Sequence, residues 1–405
     1  MRNRWLIALS AVGIHISIGS VYAWSVLTRP IMEAMGCTLR EVTGIFSVAI
    51  LLLGMSAGFL GNFVERSGPR KSGLISMLFF GAGMFGTAFA LSQQSLWLLY
   101  LSYGVIGGIG LGVGYITPVS TLVKYFPKHR GFATGMAIMG FGFAALIAGP
   151  VMQRLASAYG LSATFLTLGA VYMVIMGASA LYLKPPAPEN LLDGKTTARD
   201  RAMIAHGLTA DEAMKTWQFA ALWWVFFVNI TCGIGLLAVA SPMAQEVAGM
   251  TAEQAAAMVG IIGLVNGGGR IVWSTFSDYI GRRMAYALLF LIEIEAFRQL
   301  ATTTEAFAFQ LLTLIIISCY GGGFSCMPAY LSDLFGTKHL SAIHGRILTA
   351  WGVAGIVGPM LVSWFHDAGY GYALTLMFFS ACFVLNFIIA LILWRNGRNL
   401  YDFAV

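Results

Sequence analysis

The stretch that decides the fold is Gly61-Asn62-Phe63-Val64-Glu65-Arg66-Ser67-Gly68-Pro69-Arg70-Lys71. Its pattern of an acid, a glycine three residues later and paired basic residues returns in Ser274-Thr275-Phe276-Ser277-Asp278-Tyr279-Ile280-Gly281-Arg282-Arg283. Asp278 follows Glu65 by 213 residues, and each stretch separates two long apolar segments. A charged loop between apolar segments that recurs once predicts a chain built from two homologous halves.

The composition is that of a membrane protein. Of the 405 residues, 58% are hydrophobic and only 10% are charged, and the mean hydropathy is +0.78. Windows of about 20 apolar residues, the length that crosses hydrocarbon as a helix, fall at approximately 5–28, 41–63, 72–92, 96–123, 131–155, 161–183, 217–240, 253–276, 284–303, 306–333, 343–365 and 372–394. We therefore predict an all-α membrane protein with twelve transmembrane helices. The first window lacks a small-residue cleavage site, so we expect it to be retained as a helix.

One long polar stretch divides these windows six against six. It runs from Lys184 to Trp217, and we predict an N-terminal six-helix bundle at 1–184, a cytoplasmic central loop at 185–216 and a C-terminal six-helix bundle at 217–405. A second echo supports this division.

The second echo spans most of two windows in each half. Gly112-Val113-Gly114-Tyr115 matches Gly321-Gly322-Gly323-Phe324 at a shift of 209 residues, and at the same shift Gly149-Pro150 matches Gly358-Pro359. The similar shifts of the two echoes predict pseudo-symmetric bundles.

Basic residues predict the orientation. If both termini lie on one side, nineteen of the 24 Lys and Arg residues fall in the termini and loops on that side. The opposite side has only Arg29, Arg40, Arg154 and Arg298. By the positive-inside rule both termini are cytoplasmic, in the inner or plasma membrane of the cell. This bias also explains the net charge of +7, so no nucleic-acid partner is expected.

Enzyme and metal motifs are missing from the sequence. The five cysteines show no CxxC or Cys/His spacing, which argues against a disulfide framework or a metal site. We find no P-loop and no nucleophile with an accompanying base. We therefore expect no enzyme and no cofactor, and we expect a monomer in the bilayer.

Several motifs carry a resemblance to a known family. The two charged loops, the twelve windows and the central polar stretch resemble the major facilitator superfamily. Within it, the stretch from Tyr125 to Ala137 resembles the start of the fifth helix of monocarboxylate transporters, which include bacterial L-lactate transporters. Tyr22-Ala23-Trp24 and the pair Asn266 and Arg270 are similar to that family and to bacterial oxalate:formate antiporters. The resemblance implies a secondary transporter that is coupled to protons.

Arg270 is the charge that most needs an explanation. It follows Gly267-Gly268-Gly269 inside the eighth window, where a cation costs roughly 2.5 to 3.5 kcal/mol on insertion scales. We predict that it clamps a substrate carboxylate, because a guanidinium makes paired hydrogen bonds to a two-oxygen anion. The alternative is an ion pair with a membrane acid, for which Glu293 and Glu295 are the candidates. The three glycines are expected to admit another backbone or to let the helix bend.

Asn266 lies one helical turn before Arg270, on the same face. In animal monocarboxylate transporters, as the resemblance has it, an aspartate implicated in proton coupling occupies this position. Asparagine can hydrogen-bond Arg270 or a substrate hydroxyl but cannot carry a proton. The alternative is a hydrogen bond between helices.

Aromatic residues are the candidates for the walls of the site. Tyr115 and Phe324 each follow a glycine pair in matching positions of the repeat, and Tyr320 lies one turn before Phe324. Tyr22 is chosen from its match to the related antiporters, and Phe141 is a candidate apolar wall in the fifth window. For all of them ordinary packing is the alternative.

Trp351 bears on the charge of the substrate. The oxalate:formate antiporters resemble the stretch Thr349-Ala350-Trp351-Gly352 but carry a lysine where this chain has the tryptophan. A single intramembrane cation matches a single carboxylate. We therefore expect a small monocarboxylate such as lactate or pyruvate, and a dicarboxylate exchanger of the oxalate/formate type is the alternative. A sensor that does not transport, or a membrane enzyme, is a more remote alternative from another class.

The two charged loops are expected to serve the movement between states. We predict cytoplasmic gating contacts that form when that side closes and break when it opens, made by Glu65, Arg66 and Arg70 in the first loop and by Asp278, Arg282 and Arg283 in the second, with Lys71 also able to pair with Glu65. Solvent-exposed pairs are worth only ~0 to 1 kcal/mol each, which biases an equilibrium without locking it.

Overall fold

The structure is a computed structural model that describes residues 3–186 and 207–396, so most of the predicted central loop lies outside the described residues. The described part is all α, without a β-strand. The N-terminal half (3–186) contains α1 (Arg4–Ile18), a 3-10 turn (Gly19–Ala23), α2 (Trp24–Met35), α3 (Leu39–Ser92), α4 (Leu96–Leu99), a π-helix (Tyr100–Gly107), α5 (Gly108–Tyr125) and α6 (Arg130–Tyr182). The C-terminal half (207–396) contains α7 (Ala210–Met214), α8 (Trp217–Ala248), α9 (Ala252–Ile280), α10 (Arg282–Leu300), α11 (Ala306–Phe335), α12 (Leu340–Asp367) and α13 (Gly371–Asn396).

Glycines with positive φ mark where the long helices change direction. Gly68 interrupts α3 with φ 75° and ψ 166°, and Gly160 interrupts α6 with φ 82° and ψ 169°. Gly281, between α9 and α10, has φ 86°. Only glycine adopts this region of backbone conformation readily. This explains why each charged-loop motif contains a glycine: Gly68 and Gly281 form equivalent corners between helices.

Within the described residues, nine helical stretches are long and apolar enough to cross a membrane. The predicted count of twelve windows is larger for two physical reasons. First, α3 and α6 each combine two windows across their glycine corner. Second, α10 contains Glu293, Glu295 and Arg298, and its charges remove it from the apolar set.

The described end of the central loop contains a short helix, α7. Thr209 and Glu212 form a reciprocal capping box at its start. Hydrogen bonds from Thr209 hold the pKa of Glu212 below its ordinary value. The loop is therefore locally ordered where it joins α8.

Two pairs of helices make the most extensive contacts between the described halves. α3 crosses α12, where a Cβ on Gly54 would lie 2.6 Å from the carbonyl oxygen of Leu348. α6 crosses α9, where a Cβ on Gly142 would lie 2.8 Å from Cα of Gly267. Small residues at such crossings let backbones approach closely, which is how helices pack where the hydrophobic effect is weak.

Candidate functional site

Arg270 lies at the junction of the two halves, and its side chain is fully buried. Its Nε donates to Oδ1 of Asn266 at 3.3 Å, and its Nη1 lies 3.5 Å from the carbonyl oxygen of Ile138 in α6. Its Nη2 has no hydrogen-bond partner in the described chain, and no described carboxylate pairs with it. The guanidinium therefore keeps a donor available in the interior of the molecule.

Neither of the two acids considered as partners for Arg270 pairs with it. Glu295 forms the local pair with Arg298 that their spacing predicts, at 2.5 Å. Glu293 is contacted by Asn229. The alternative of an ion pair between Arg270 and a membrane acid is thus not what the described residues show.

The glycines before Arg270 admit neighbouring helices. A Cβ on Gly269 would lie 2.7 Å from the carbonyl oxygen of Ser318 in α11, and one on Gly267 would lie 2.4 Å from the ring of Phe143. A Cβ on Gly268 would meet nothing within 4 Å. Of the two expected roles, close approach accounts for Gly267 and Gly269.

Aromatic rings enclose the guanidinium. Its Cζ lies 5.0 Å from the ring centre of Phe324 and 6.0 Å from that of Phe141, distances at which a cation is attracted to the ring face. Trp351 packs edge-on against Phe324 at 4.9 Å, against Tyr115 at 5.1 Å and against Phe141 at 5.5 Å. The structure therefore brings together aromatic residues from α5, α6, α11 and α12.

Four polar atoms on the aromatic side chains of this cluster make no hydrogen bond of normal geometry to a described residue. They are the hydroxyls of Tyr22, Tyr115 and Tyr320 and the Nε1 of Trp351. The hydroxyl of Tyr22, carried on the 3-10 turn, interacts electrostatically with Arg270, Tyr320 and Trp351 without forming a well-aligned hydrogen bond. Together with Nη2 of Arg270 the cluster offers several buried donors and one positive charge. Such a set suits a small anion, because buried donors are normally satisfied.

All eight residues predicted for binding therefore lie in one cluster, although their roles in binding stay predictions. We call this cluster the central site; its members are Tyr22, Tyr115, Phe141, Asn266, Arg270, Tyr320, Phe324 and Trp351. Among the described residues, no group of His, Cys, Asp or Glu side chains that could hold a metal ion was found.

Two histidines border the central site. His15 is fully buried, and its Nε2 lies 3.2 Å from the carbonyl oxygen of Tyr115. His344 is 1% exposed, and its ring lies 6.0 Å from that of Tyr115. A histidine inside the eleventh apolar window was a signal for His344 that the sequence reasoning did not use.

Glu65 in the first charged loop contacts the other half of the chain. Its Oε2 accepts a hydrogen bond of 3.0 Å from the amide of Ser341, in the first turn of α12. Its Oε1 pairs with Lys124 at 2.7 Å. Lys124 takes the place of the expected Arg66, Arg70 and Lys71, because it projects from the end of the neighbouring α5. Burial, the main cause, lowers the pKa of nearby His339.

Asp278 in the second loop likewise contacts the opposite half, at the start of α6. Its carboxylate accepts hydrogen bonds from the amides of Gly131 and Phe132 at 2.9 and 2.8 Å, and it also pairs with Arg282. The side chains of Asp278 and Arg282 are only 3% and 8% exposed. The expectation of solvent-exposed pairs is therefore wrong for this loop, because the contact is covered by the opposite half.

Other predicted gating residues have lesser or different contacts. Arg70 donates to the carbonyl oxygen of Leu181 at 2.7 Å, which is a contact within the N-terminal half. Arg283 interacts electrostatically with Tyr330. For Arg66 we see no ion pair with a described residue.

Sequence reasoning missed a further contact between the halves at this end. Arg130 of α6 pairs with Asp333 of α11 at 3.0 Å, and Asp333 also lies 3.4 Å from Arg282. Lys124 and Asp333 occupy matching positions of the 209-residue echo with opposite charges, but this match does not indicate Arg130 as the partner of Asp333.

The described fold and the site define a helical membrane protein with a polar site between two halves. The profile of the Major Facilitator Superfamily matches residues 8–359, so the chain belongs to that superfamily. It is therefore an integral, multi-pass membrane transporter and not an enzyme. The resemblance inferred from the motifs is confirmed.

Known relatives and solved structures agree with this assignment. The oxalate:formate antiporter of Oxalobacter formigenes is 28% identical over 362 residues, covering 88% of this chain and 83% of the relative. Monocarboxylate transporter 1 of Bos taurus is 29% identical over 182 residues, covering 44% of this chain and 36% of the relative. The proton:xylose symporter XylE superposes with a TM-score of 0.74 at 15% identity, covering 98% of both chains, and so is similar in fold.

Proposed function

We propose that the protein is a secondary active transporter of small monocarboxylates such as lactate and pyruvate. It works by alternating access and is coupled to the symport of a proton. In this proposal the chain crosses the membrane twelve times as two six-helix bundles, at 1–184 and 217–405, with both termini cytoplasmic. The substrate binds in the central site, midway between them.

The cluster of donors around Arg270 carries this proposal. Arg270 presents Nη2, and Tyr115 and Tyr320 present hydroxyls, in a region without a described acid. A carboxylate can accept several hydrogen bonds through its two oxygens, and bonds to charged groups are the strongest of these. A carboxylate would therefore satisfy atoms whose burial is otherwise unfavourable.

The surrounding rings favour a small substrate with an apolar part. Trp351 packs against both Phe141 and Phe324, and these two phenylalanine rings lie within reach of the Arg270 guanidinium. A lactate or pyruvate methyl group suits such a wall, whereas a second carboxylate would face it without a cation. The names of the relatives are consistent with an organic anion as the substrate.

A dicarboxylate exchanger of the oxalate/formate type is the second candidate. The relative that supports it matches most of the chain, at 28% identity. Trp351 argues against it, because the family's second cation is replaced there by a fully buried, neutral ring.

Transport by purified protein in liposomes tests the proposal. We expect uptake of labelled L-lactate that is stimulated by an inward proton gradient and inhibited by pyruvate. Strong inhibition by oxalate with weak inhibition by pyruvate would favour the exchanger instead. Arg270→Lys is the sharpest variant, because it keeps the charge and removes the planar fork. Normal transport by Arg270→Lys would contradict the carboxylate clamp.

A further inference from the structure

Glu293 is a carboxyl group buried in the middle of α10, and the central site does not use it. Its residue is only 1% exposed. Glu293 follows Gly281 by twelve residues and Arg270 precedes it by eleven. At a rise of about 1.5 Å per residue, both side chains lie roughly 17 Å along their helices from that corner. An acid at that depth needs a physical explanation.

Its hydrogen-bond partner is an amide and not a cation. Nδ2 of Asn229, in α8, lies 3.4 Å from Oε1 and 3.5 Å from Oε2 of Glu293. Asn229 is fully buried, and its Oδ1 has no described partner. The pair therefore contains an acceptor that only a further donor can satisfy.

Among the described side chains of the helices packed around the pair, no cation faces it. The titratable groups that interact with Glu293 are Tyr286 on α10 itself, Cys232 on α8 and Cys319 on α11. On α13, Cys382 interacts with Cys232, and Ser380 donates to the carbonyl oxygen of Ile294 at 2.8 Å. The charged side chains described on α9 are Arg270 and Asp278, and neither pairs with Glu293.

Protonation of Glu293 would satisfy the hydrogen-bonding groups of this pair. An ionised carboxylate without a cation is strongly unfavourable in a buried apolar region, whereas the neutral acid is tolerated. A neutral carboxyl group also gains an O–H donor. That donor can bond to Oδ1 of Asn229 while Nδ2 donates in return, so the protonated form satisfies atoms that the ionised form leaves without a partner.

The pair of Glu293 and Asn229 is connected to the central site through packing against α11. A Cβ on Gly323 of α11 would lie 2.6 Å from Oδ1 of Asn229. The next residue, Phe324, packs on Phe226 of α8 at 5.0 Å, and its ring centre also lies 5.0 Å from Cζ of Arg270. The segment 320–324 of α11 thus lies between the acid-amide pair and the guanidinium.

We propose that Glu293 and Asn229 form the binding site for the symported proton. The carboxylate takes a proton from water on one side of the membrane, the neutral pair packs as it does in this structure, and the proton leaves to water on the other side. In this proposal Glu293, and not Asn266, which cannot carry a proton, is the proton-coupling residue. The inference rests on the proposed transport of monocarboxylates.

Glu293→Gln tests the proposal because glutamine mimics the protonated acid in shape. In liposomes with a pH difference of one unit, one-to-one symport concentrates labelled lactate about tenfold. We expect this accumulation in the wild type and none in Glu293→Gln, while lactate counterflow, which needs no net proton movement, is retained. Glu295→Gln is the matched control, because Glu295 is about half exposed and paired with Arg298, and it should accumulate lactate as the wild type does.

Infrared spectroscopy gives a readout that does not depend on transport. The wild type should show a carbonyl band of a protonated carboxylic acid at neutral pH, and this band should be lost in Glu293→Gln but kept in Glu295→Gln. The absence of any such band in the wild type overturns the proposal even if the Gln variant fails to fold. So does wild-type accumulation by Glu293→Gln. A wild type without lactate counterflow would instead overturn the transport function itself.

Discussion

Glu65 and Asp278, the acids of the two charged loops, make equivalent contacts across the molecule. Glu65 accepts a hydrogen bond from the first turn of α12, and Asp278 accepts two from the first turn of α6. Each acid thus binds the positive end of a helix from the opposite half. Because the contacts join the halves, separating this end of the molecule must break both of them.

Asp278→Asn should destabilise the closed end strongly. It removes the charge that faces both Arg282 and the start of α6. We expect a loss of about 3 kcal/mol in the free energy of unfolding, the low end for breaking a buried pair, because Arg282 keeps Asp333 at 3.4 Å. Denaturation in detergent micelles measures this loss.

The control for Asp278→Asn is Glu33→Gln. Glu33 pairs with Arg29 at the same i,i+4 spacing, but its side chain is 66% exposed. We expect a change close to zero. Equal destabilisation by the two variants would show that the covered position of Asp278 does not matter.

Glu65→Gln should have a smaller effect than Asp278→Asn. The side chains of Glu65 and Lys124 are 17% and 26% exposed, so water takes over part of the lost interaction. We expect a loss of about 1 kcal/mol, in the range for a charge at a helix terminus. The same denaturation experiment ranks the two variants, and the reverse order would contradict the explanation from burial.

Neighbouring glycines before Arg270 should respond differently to alanine. Gly269→Ala would push a methyl group to 2.7 Å from the backbone oxygen of Ser318, so α9 and α11 must move apart. Overpacking of this kind costs about 1 to 3 kcal/mol. Gly268→Ala meets open space and should be neutral or stabilising by up to about 1 kcal/mol, since alanine favours helix. Thermal unfolding of the two variants compares them directly, and similar losses would argue against close packing as the role of Gly269.

The fold was largely predictable because its signals are local or repeated. Apolar windows and the two echoes locate the helices and the charged loops that contain Gly68 and Gly281 without knowledge of any contact. Arg270 was identifiable for a similar reason: a guanidinium inside an apolar window is visible in the sequence alone.

Contacts between distant segments were harder to predict. Nothing near Glu65 in the sequence indicates Lys124 or Ser341 as its partners, because the end of α5 and the start of α12 meet it only after the helices pack. The pairing of Asn229 with Glu293 likewise depends on how α8 and α10 lie beside α11. Tyr22 was chosen by resemblance, since the 3-10 turn that presents it has no clear sequence signal.

Tyr320→Phe should separate binding from stability. The Tyr320 hydroxyl interacts with that of Tyr22 without forming a well-aligned hydrogen bond, so its removal should change the free energy of unfolding little. If the hydroxyl donates to the substrate carboxylate, KM for lactate should rise about 10-fold or more, since a hydrogen bond to a charged group is worth about 1.5 to 3 kcal/mol. Lactate uptake kinetics and thermal unfolding measure the two effects.

Tyr286→Phe is the matched comparison. Its hydroxyl donates to the carbonyl oxygen of Gly323 at 2.5 Å, so this variant should lose about 1 kcal/mol of stability. An unchanged KM for lactate in Tyr320→Phe would show that the Tyr320 hydroxyl does not bind the substrate.

Trp351→Lys should change which anion stabilises the protein. The new ammonium group would lie among Tyr115, Phe141 and Phe324, close to Arg270 and without an acid. A buried cation without a partner costs several kcal/mol, so the unliganded variant should melt at a lower temperature than the wild type. Oxalate, with two carboxylates for two cations, should raise its melting temperature more than lactate does. Trp351→Met also loses the ring but adds no charge, so oxalate should have no such advantage there. An equal response to oxalate in the Lys and Met variants would mean that the charge at position 351 does not select between one carboxylate and two.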